Sequence, residues 1–170
     1  NSNIRSTVIN VSVTEINDAP VFTDNSWLPV PGPVGDDESN PMTLGTFIEN
    51  VESSFSVFVE DFDKTFDYKR VNFVIDPMVF DIRSAAWVPV PTGMSVSVNS
   101  FVPNGGGLGA KTEGRLTWTP RDEDVKRFSS NDGFVVKLRA YDAISNGAVR
   151  QDDFLYLKFL VKNTNTSPRS

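Results

Sequence analysis

The sequence predicts an all-β chain folded as a β-sandwich of about seven or eight strands. Three observations carry that expectation. Short runs alternate apolar and polar residues with a period of two, no window shows a helical period stronger than this, and Gly- and Pro-rich stretches separate the runs. The 170 residues suit one domain with its own core and are short for two. With 39% hydrophobic residues, including 13 Phe, 3 Trp and 3 Tyr, there is enough apolar material to fill that core.

Taken in order, the first run is Val8–Val13 (VINVSV), which places Val and Ile on one face and Asn and Ser on the other. Asn17, Asp18 and Pro20 then break the pattern as a turn or linker. Residues 24–41, crowded with prolines and carrying Asp36, Asp37 and Glu38, read as loop. Strands return from Phe47. In Ser54–Glu60 (SFSVFVE), Phe55, Val57 and Val59 share a face; in Tyr68–Ile75 (YKRVNFVI), Val71, Phe73 and Ile75 do so. A second irregular stretch holds Trp87-Val-Pro-Val-Pro. Met94–Val98 (MSVSV) is a short strand, Pro103–Gly109 (PNGGGLG) a flexible loop, and Arg115–Thr119 (RLTWT) a strand closed by Pro120. The longest expected strands are Phe134–Tyr141 (FVVKLRAY) and Phe154–Val161 (FLYLKFLV).

An internal echo bears on domain organisation. A strand runs into EINDAP near the start, and another runs into NTNTSP near the end. Superposing Pro20 on Pro168 sets Asn17 over Asn165 and Ala19 over Ser167, a repeat of roughly 150 residues. The expected organisation is therefore a unit of a tandem array. Residues 1–16 are the last strand of a preceding repeat or an added N-terminal strand, 17–20 a linker, 21–163 the sandwich, and 164–170 the start of the next linker.

Composition narrows the chemistry. The absence of cysteine removes disulfides, thiolate zinc sites and cysteine nucleophiles; the absence of histidine removes imidazole bases and most zinc or iron sites. No G-x-S-x-G or S-x-x-K motif is present, and the GGGLG loop lacks the lysine of a phosphate cradle. A carboxylate pair such as Asp61 and Asp122 has no spacing that marks a hydrolase. The expectation is a chain that is not an enzyme. Its net charge of −6 repels phosphate backbones, which argues against a nucleic-acid partner. No run of 18 apolar residues suggests membrane insertion. The same acidity favours hard cations, calcium first.

Four segments carry a family resemblance. VSVTEINDAPVF resembles the junction of bacterial cadherin-like and immunoglobulin-like surface repeats. PTGMSVSVNS followed by GRLTWTP is similar to a signature of dystroglycan-type cadherin repeats, and FVVKLRAYDAISNGA to their penultimate strand. Together these span Val11–Asn163. The resemblance implies a cadherin/Ig-like, extracellular module of Greek-key β-sandwich topology in a surface protein, with adjacent repeats of the same chain as partners and a role as spacer or adhesin. It also implies calcium at an inter-module junction, with Glu15, Asn17 and Asp18 in the linker and Glu49, Asp61, Asp63 and Asp142 as candidate ligands at one pole. Asp122, Glu123 and Asp124 stand where cadherins carry a further acidic motif. The chain departs from the cadherin pattern in having Glu15 for Asp, a linker one residue shorter, and no acid in NTNTSP. The same Asp and Asn residues are also ordinary turn formers.

The alternative is a module that binds a glycan or a cell-surface protein. Trp27 and Trp87 lie in irregular stretches where an exposed ring could serve a ligand, whereas Trp118 has the phase of a core residue. A plain sandwich repeat needs about 100 residues. The surplus falls in 24–41 and 76–114, which are expected to form long loops.

Overall fold

The computed structural model describes residues 3–12, 16–63, 70–129, 132–142 and 151–164. Among them are nine strands: β1 Val21–Thr23, β2 Met42–Ile48, β3 Ser53–Asp61, β4 Val71–Asp81, β5 Ala86–Pro89, β6 Ser95–Pro103, β7 Ala110–Trp118, β8 Phe134–Asp142 and β9 Asp152–Lys162. They form two sheets, in the orders β1-β3-β7-β6 and β2-β9-β8-β4-β5. Every pairing is antiparallel except β2 with β9, which is parallel. The chain crosses between sheets after β1, β2, β3, β5 and β7, so several consecutive strands face each other across the core.

The period of two decides what fills that core. On β8, Phe134, Val136, Leu138 and Ala140 are buried, and on β9 so are Leu155, Leu157, Phe159 and Val161. From the other sheet come Val57 and Val59 of β3 and Leu116 and Trp118 of β7. Aromatic rings lock the far end: Phe47 lies 5.2 Å from Trp118 and 5.0 Å from Phe159, centroid to centroid. The Trp118 indole donates to the Thr92 carbonyl at 3.3 Å, which satisfies its one polar atom inside the core.

The sandwich is the expected one, with differences that have physical causes. Residues 8–12 of the first expected strand pair with no sheet; Ile9 and Val11 are open to solvent. β2 begins at Met42 rather than near Phe47. The Trp87 stretch, expected as irregular, forms β5 because Trp87 and Pro89 align with Phe80 and Met78 at the sheet edge, where a proline is tolerated. The 76–114 region is therefore mostly strand, and of the two expected long loops only 24–41 stays irregular, apart from one bridge from Thr23 to Pro29.

One helix, α1 (Asp122–Phe128), was not expected. Three acids open it and Lys126 and Arg127 close it, each set matched to the helix dipole, and the Asp124 carboxylate accepts the Arg121 N–H at 2.9 Å. Val125 and Phe128, three apart, bury one face, with Phe128 4.7 Å from Phe134. None of these helices is long and apolar enough to cross a membrane among the described residues.

Candidate metal centre

Strand registry brings three distant carboxylates to one end of the sandwich. Asp61 is the last residue of β3 and Asp142 the last of β8, and these strands lie in opposite sheets that end at the same pole. Asp63 follows two residues after Asp61. All three are buried, at 0%, 2% and 0% exposure, and each offers an oxygen within 4.8 Å of the others'.

Backbone amides fix their orientation. The Asp63 N–H donates to Asp61 Oδ1 at 3.0 Å, and the Gln151 N–H to Asp142 Oδ2 at 2.9 Å. Residues 17 and 18 add their own donors. The Asn17 side-chain amide donates to Asp142 Oδ2 at 2.6 Å, and the Asp18 N–H reaches both oxygens of Asp63, at 3.1 and 3.2 Å. The entering chain is thus tied across the pole by hydrogen bonds to carboxylates, the stronger kind. Two oxygens remain. Asp61 Oδ2 and Asp142 Oδ1 are buried and are reached by no amide or hydroxyl among the described residues.

Three like charges this close cannot all stay ionised in a poorly solvated place. Burial, above all, lifts the Asp61 carboxyl to about 8, and the neighbouring Asp142 and Asp63 push the same way, against the Asp63 N–H, which pulls it down. In the metal-free fold this favours a neutral Asp61 carboxyl at neutral pH, hydrogen-bonded to Asp142. The donor set is all oxygen, without sulfur or imidazole, which suits calcium or another hard cation rather than zinc. Three buried carboxylates with fewer amide and hydroxyl donors than oxygens fit such an ion.

The expected ligands divide. Asp61, Asp63, Asp142 and Asn17 converge. Asp18 joins them through its amide, with its carboxylate exposed. Glu15 lies outside the described residues. Glu49 does not belong to this pole. It follows β2, whose end pairs with Lys162 at the far end of β9, and it accepts both the amide and the hydroxyl of Thr164 at 3.3 Å. Since β9 runs from beside Asp142 to Lys162, the two poles are roughly 30 Å apart at about 3.3 Å per strand residue. Asp122, Glu123 and Asp124 lie at Glu49's end, in the first turn of α1, and the Asn50 N–H binds the Pro120 carbonyl there at 2.8 Å.

A residue the sequence did not single out is Gly109, at the end of the loop read as a flexible tip. Its φ is +72°, and a Cβ there would stand 2.4 Å from the Asp61 carbonyl. Its N–H donates to the Asp63 carbonyl at 2.9 Å. The loop is a brace for the acidic segment; the glycines around it were legible, their neighbour was not.

The two candidate ring residues differ. Trp27 is half-buried, its ring 5.1 Å from Phe58 with the Lys111 ammonium 5.2 Å from its centre. Trp87 is 41% exposed beside a concavity lined also by Asp76, Met78, Lys137 and Tyr156. Trp118 is core, as its phase implied.

No protein-family profile and no curated protein matches the chain. Among solved structures it is similar to a PapD-like domain (domain 7) of human CEP192, at TM-score 0.46 and 9% identity over 94% of this chain and 96% of that one. It is also similar to the CooA pilin subunit of enterotoxigenic Escherichia coli, at 0.42 and 10% over 85% and 99%. A third likeness is to Rst D1-D2, at 0.40 and 11%, where 86% of this chain spans half of that one.

Proposed function

We propose that the chain is a non-catalytic, extracellular module of a surface protein, cadherin-like in kind, whose acidic pole holds calcium and so stiffens the linker that enters it. The observation that supports this reading is the buried trio Asp61, Asp63 and Asp142, with Asp61 Oδ2 and Asp142 Oδ1 reached by no amide or hydroxyl among the described residues, and residues 17 and 18 bonded to the same carboxylates. Calcium takes six to eight hard oxygens. The three carboxylates and the Asn17 amide oxygen would supply part of that set, with Glu15 a further candidate. The ion would supply positive charge in place of a proton, and the module would act as a spacer or adhesion unit beside other repeats of its chain. Ordering a linker removes its freedom and makes the joint stiff.

The test is a pair of melts, in calcium and in chelator, for the wild-type chain and Asp61→Asn. A wild-type melting temperature raised by calcium, with no rise in Asp61→Asn, is the expected result. Identical wild-type melts would contradict the reading.

A second reading has one observation in its favour. Trp87 opens beside Asp76, Lys137 and Tyr156, a ring with hydrogen-bonding neighbours, as ligand sites for glycans or proteins present. Binding on a glycan array that Trp87→Ala abolishes would support it; an array without hits would count against it.

A further inference from the structure

The outward face of β8 and β9 sets cations beside aromatic rings, in a chain whose net charge is −6. Arg139 and Lys137 stand two apart on β8, so both point away from the core, and strand pairing places them next to Phe154 and Tyr156 of β9. Lys137 forms no ion pair among the described residues. Its ammonium lies 4.5 Å from the centre of the Phe154 ring and 5.6 Å from that of Tyr156, which holds the charge without cancelling it. Arg139 meets Asp152 through one nitrogen at 3.5 Å, and its buried Nε–H finds no acceptor among the described residues. A buried donor without an acceptor is costly. Both cations line one hollow of about 170 Å³, walled by Val74, Pro77 and Phe154. Asp76 and Lys137 also line a second hollow, of about 280 Å³, in which Trp87 is exposed beside Tyr156.

We propose that these adjoining hollows bind an acidic sugar unit, with its carboxylate or sulfate between Lys137 and Arg139 and a face of its ring against Trp87. This deepens the second reading above, on which it rests, by naming the charge class of the ligand; it is independent of calcium. Charge complementarity carries it. An anion in the first hollow gives the Arg139 Nε–H the acceptor it lacks and meets a lysine that no carboxylate neutralises. The indole suits the apolar face of a sugar. Asp76 accepts the Met78 N–H at 3.0 Å with one oxygen and has the other for a hydroxyl. A peptide fits less well. β5, the sheet edge that carries Trp87, ends in Pro89, with Pro91 two residues on, and a proline offers no N–H to an added strand. The overall negative charge disfavours a nucleic-acid backbone.

The test is calorimetric titration of the full chain in chelator, so that no acid binds by way of a metal ion. The probes are oligogalacturonate, the same oligomer as its methyl ester, sulfated dextran, unmodified dextran and poly-glutamate. Oligogalacturonate or sulfated dextran is expected to bind, more weakly as salt rises, and the ester and unmodified dextran are expected not to. Which of the two acids binds separates carboxylate from sulfate. Arg139→Gln and Lys137→Met, which keep most of each apolar stem, are each expected to weaken that binding by about tenfold or more. Trp87→Ala is expected to weaken it as well. Should a variant fail to fold, acid against ester on the wild-type chain still decides. An ester or dextran bound as tightly as the acid, or an affinity unchanged in both charge variants, would overturn the acidic class and leave the second reading standing. No binding of any sugar would overturn both. Poly-glutamate bound as tightly as the acidic sugars would overturn the sugar.

Discussion

At Asp61, metal-free stability and the proposed cation binding pull in opposite directions. Its carboxyl is raised to about 8, so between about pH 4 and pH 8 the metal-free fold keeps a proton that the unfolded chain gives up. Stability without metal must then fall as pH rises through that window and level above it. Asp61→Asn removes the titration and supplies an amide in its place. In chelator at pH 8 this variant is expected to melt above the wild type; in calcium the order reverses. Thermal melts at pH 5 and pH 8 check both signs, and a wild type whose metal-free melt does not change with pH would refute the shared proton. Asp18 yields a second contrast. It serves Asp63 through its backbone N–H, so Asp18→Ala is expected to change stability by no more than about 0.5 kcal/mol. Asp18→Pro deletes the donor to a charged acceptor and is expected to cost about 1.5–3 kcal/mol in denaturant titration. Sequence reading could name these acids, because carboxylates that end strands are visible. It could not separate a residue used for its side chain from one used for its amide.

Elements were legible where alternation was strong. β3, β8 and β9 read directly from the sequence because their inward residues are almost all Phe, Leu and Val. β5 was hidden by its prolines, which an edge strand accommodates, and α1 by its brevity: seven residues bury only two side chains. Glu49 was assigned to the wrong pole for a related reason. Its position depends on β2 running parallel to β9, and a parallel pairing across more than a hundred residues leaves no local trace. Gly109 shows the same limit on a loop, since only the folded chain places it against the Asp61 carbonyl. Gly109→Ala forces a side chain into the left-handed region and into that contact. It is expected to lower stability by about 1–3 kcal/mol and to weaken calcium binding by displacing Asp61 and Asp63. A titration of Gly109→Ala that matches the wild type would show that the loop does not brace the site.

At the scale of the whole molecule, the sandwich is a rigid body about 30 Å long between two differently furnished poles. One gathers buried carboxylates around residues 17 and 18; the other ties Glu49 to Thr164. The faces between them are built from close-packed strands, and the aromatic cluster of Phe47, Trp118, Phe134 and Phe159 holds the two sheets together near the second pole. Phe134→Ala is expected to cost about 3–5 kcal/mol in chemical denaturation while leaving calcium affinity nearly unchanged in the fraction that remains folded. Under the proposed function, the pole with Asp61 exchanges a proton for a cation. Calorimetric titration of the chelator-treated chain with calcium, repeated from pH 6 to pH 9, measures this most directly. Saturable binding is expected, tightening by up to about tenfold per pH unit below about pH 8 and levelling above it, because one proton must leave Asp61. No binding at any pH, or an affinity indifferent to pH, would contradict it.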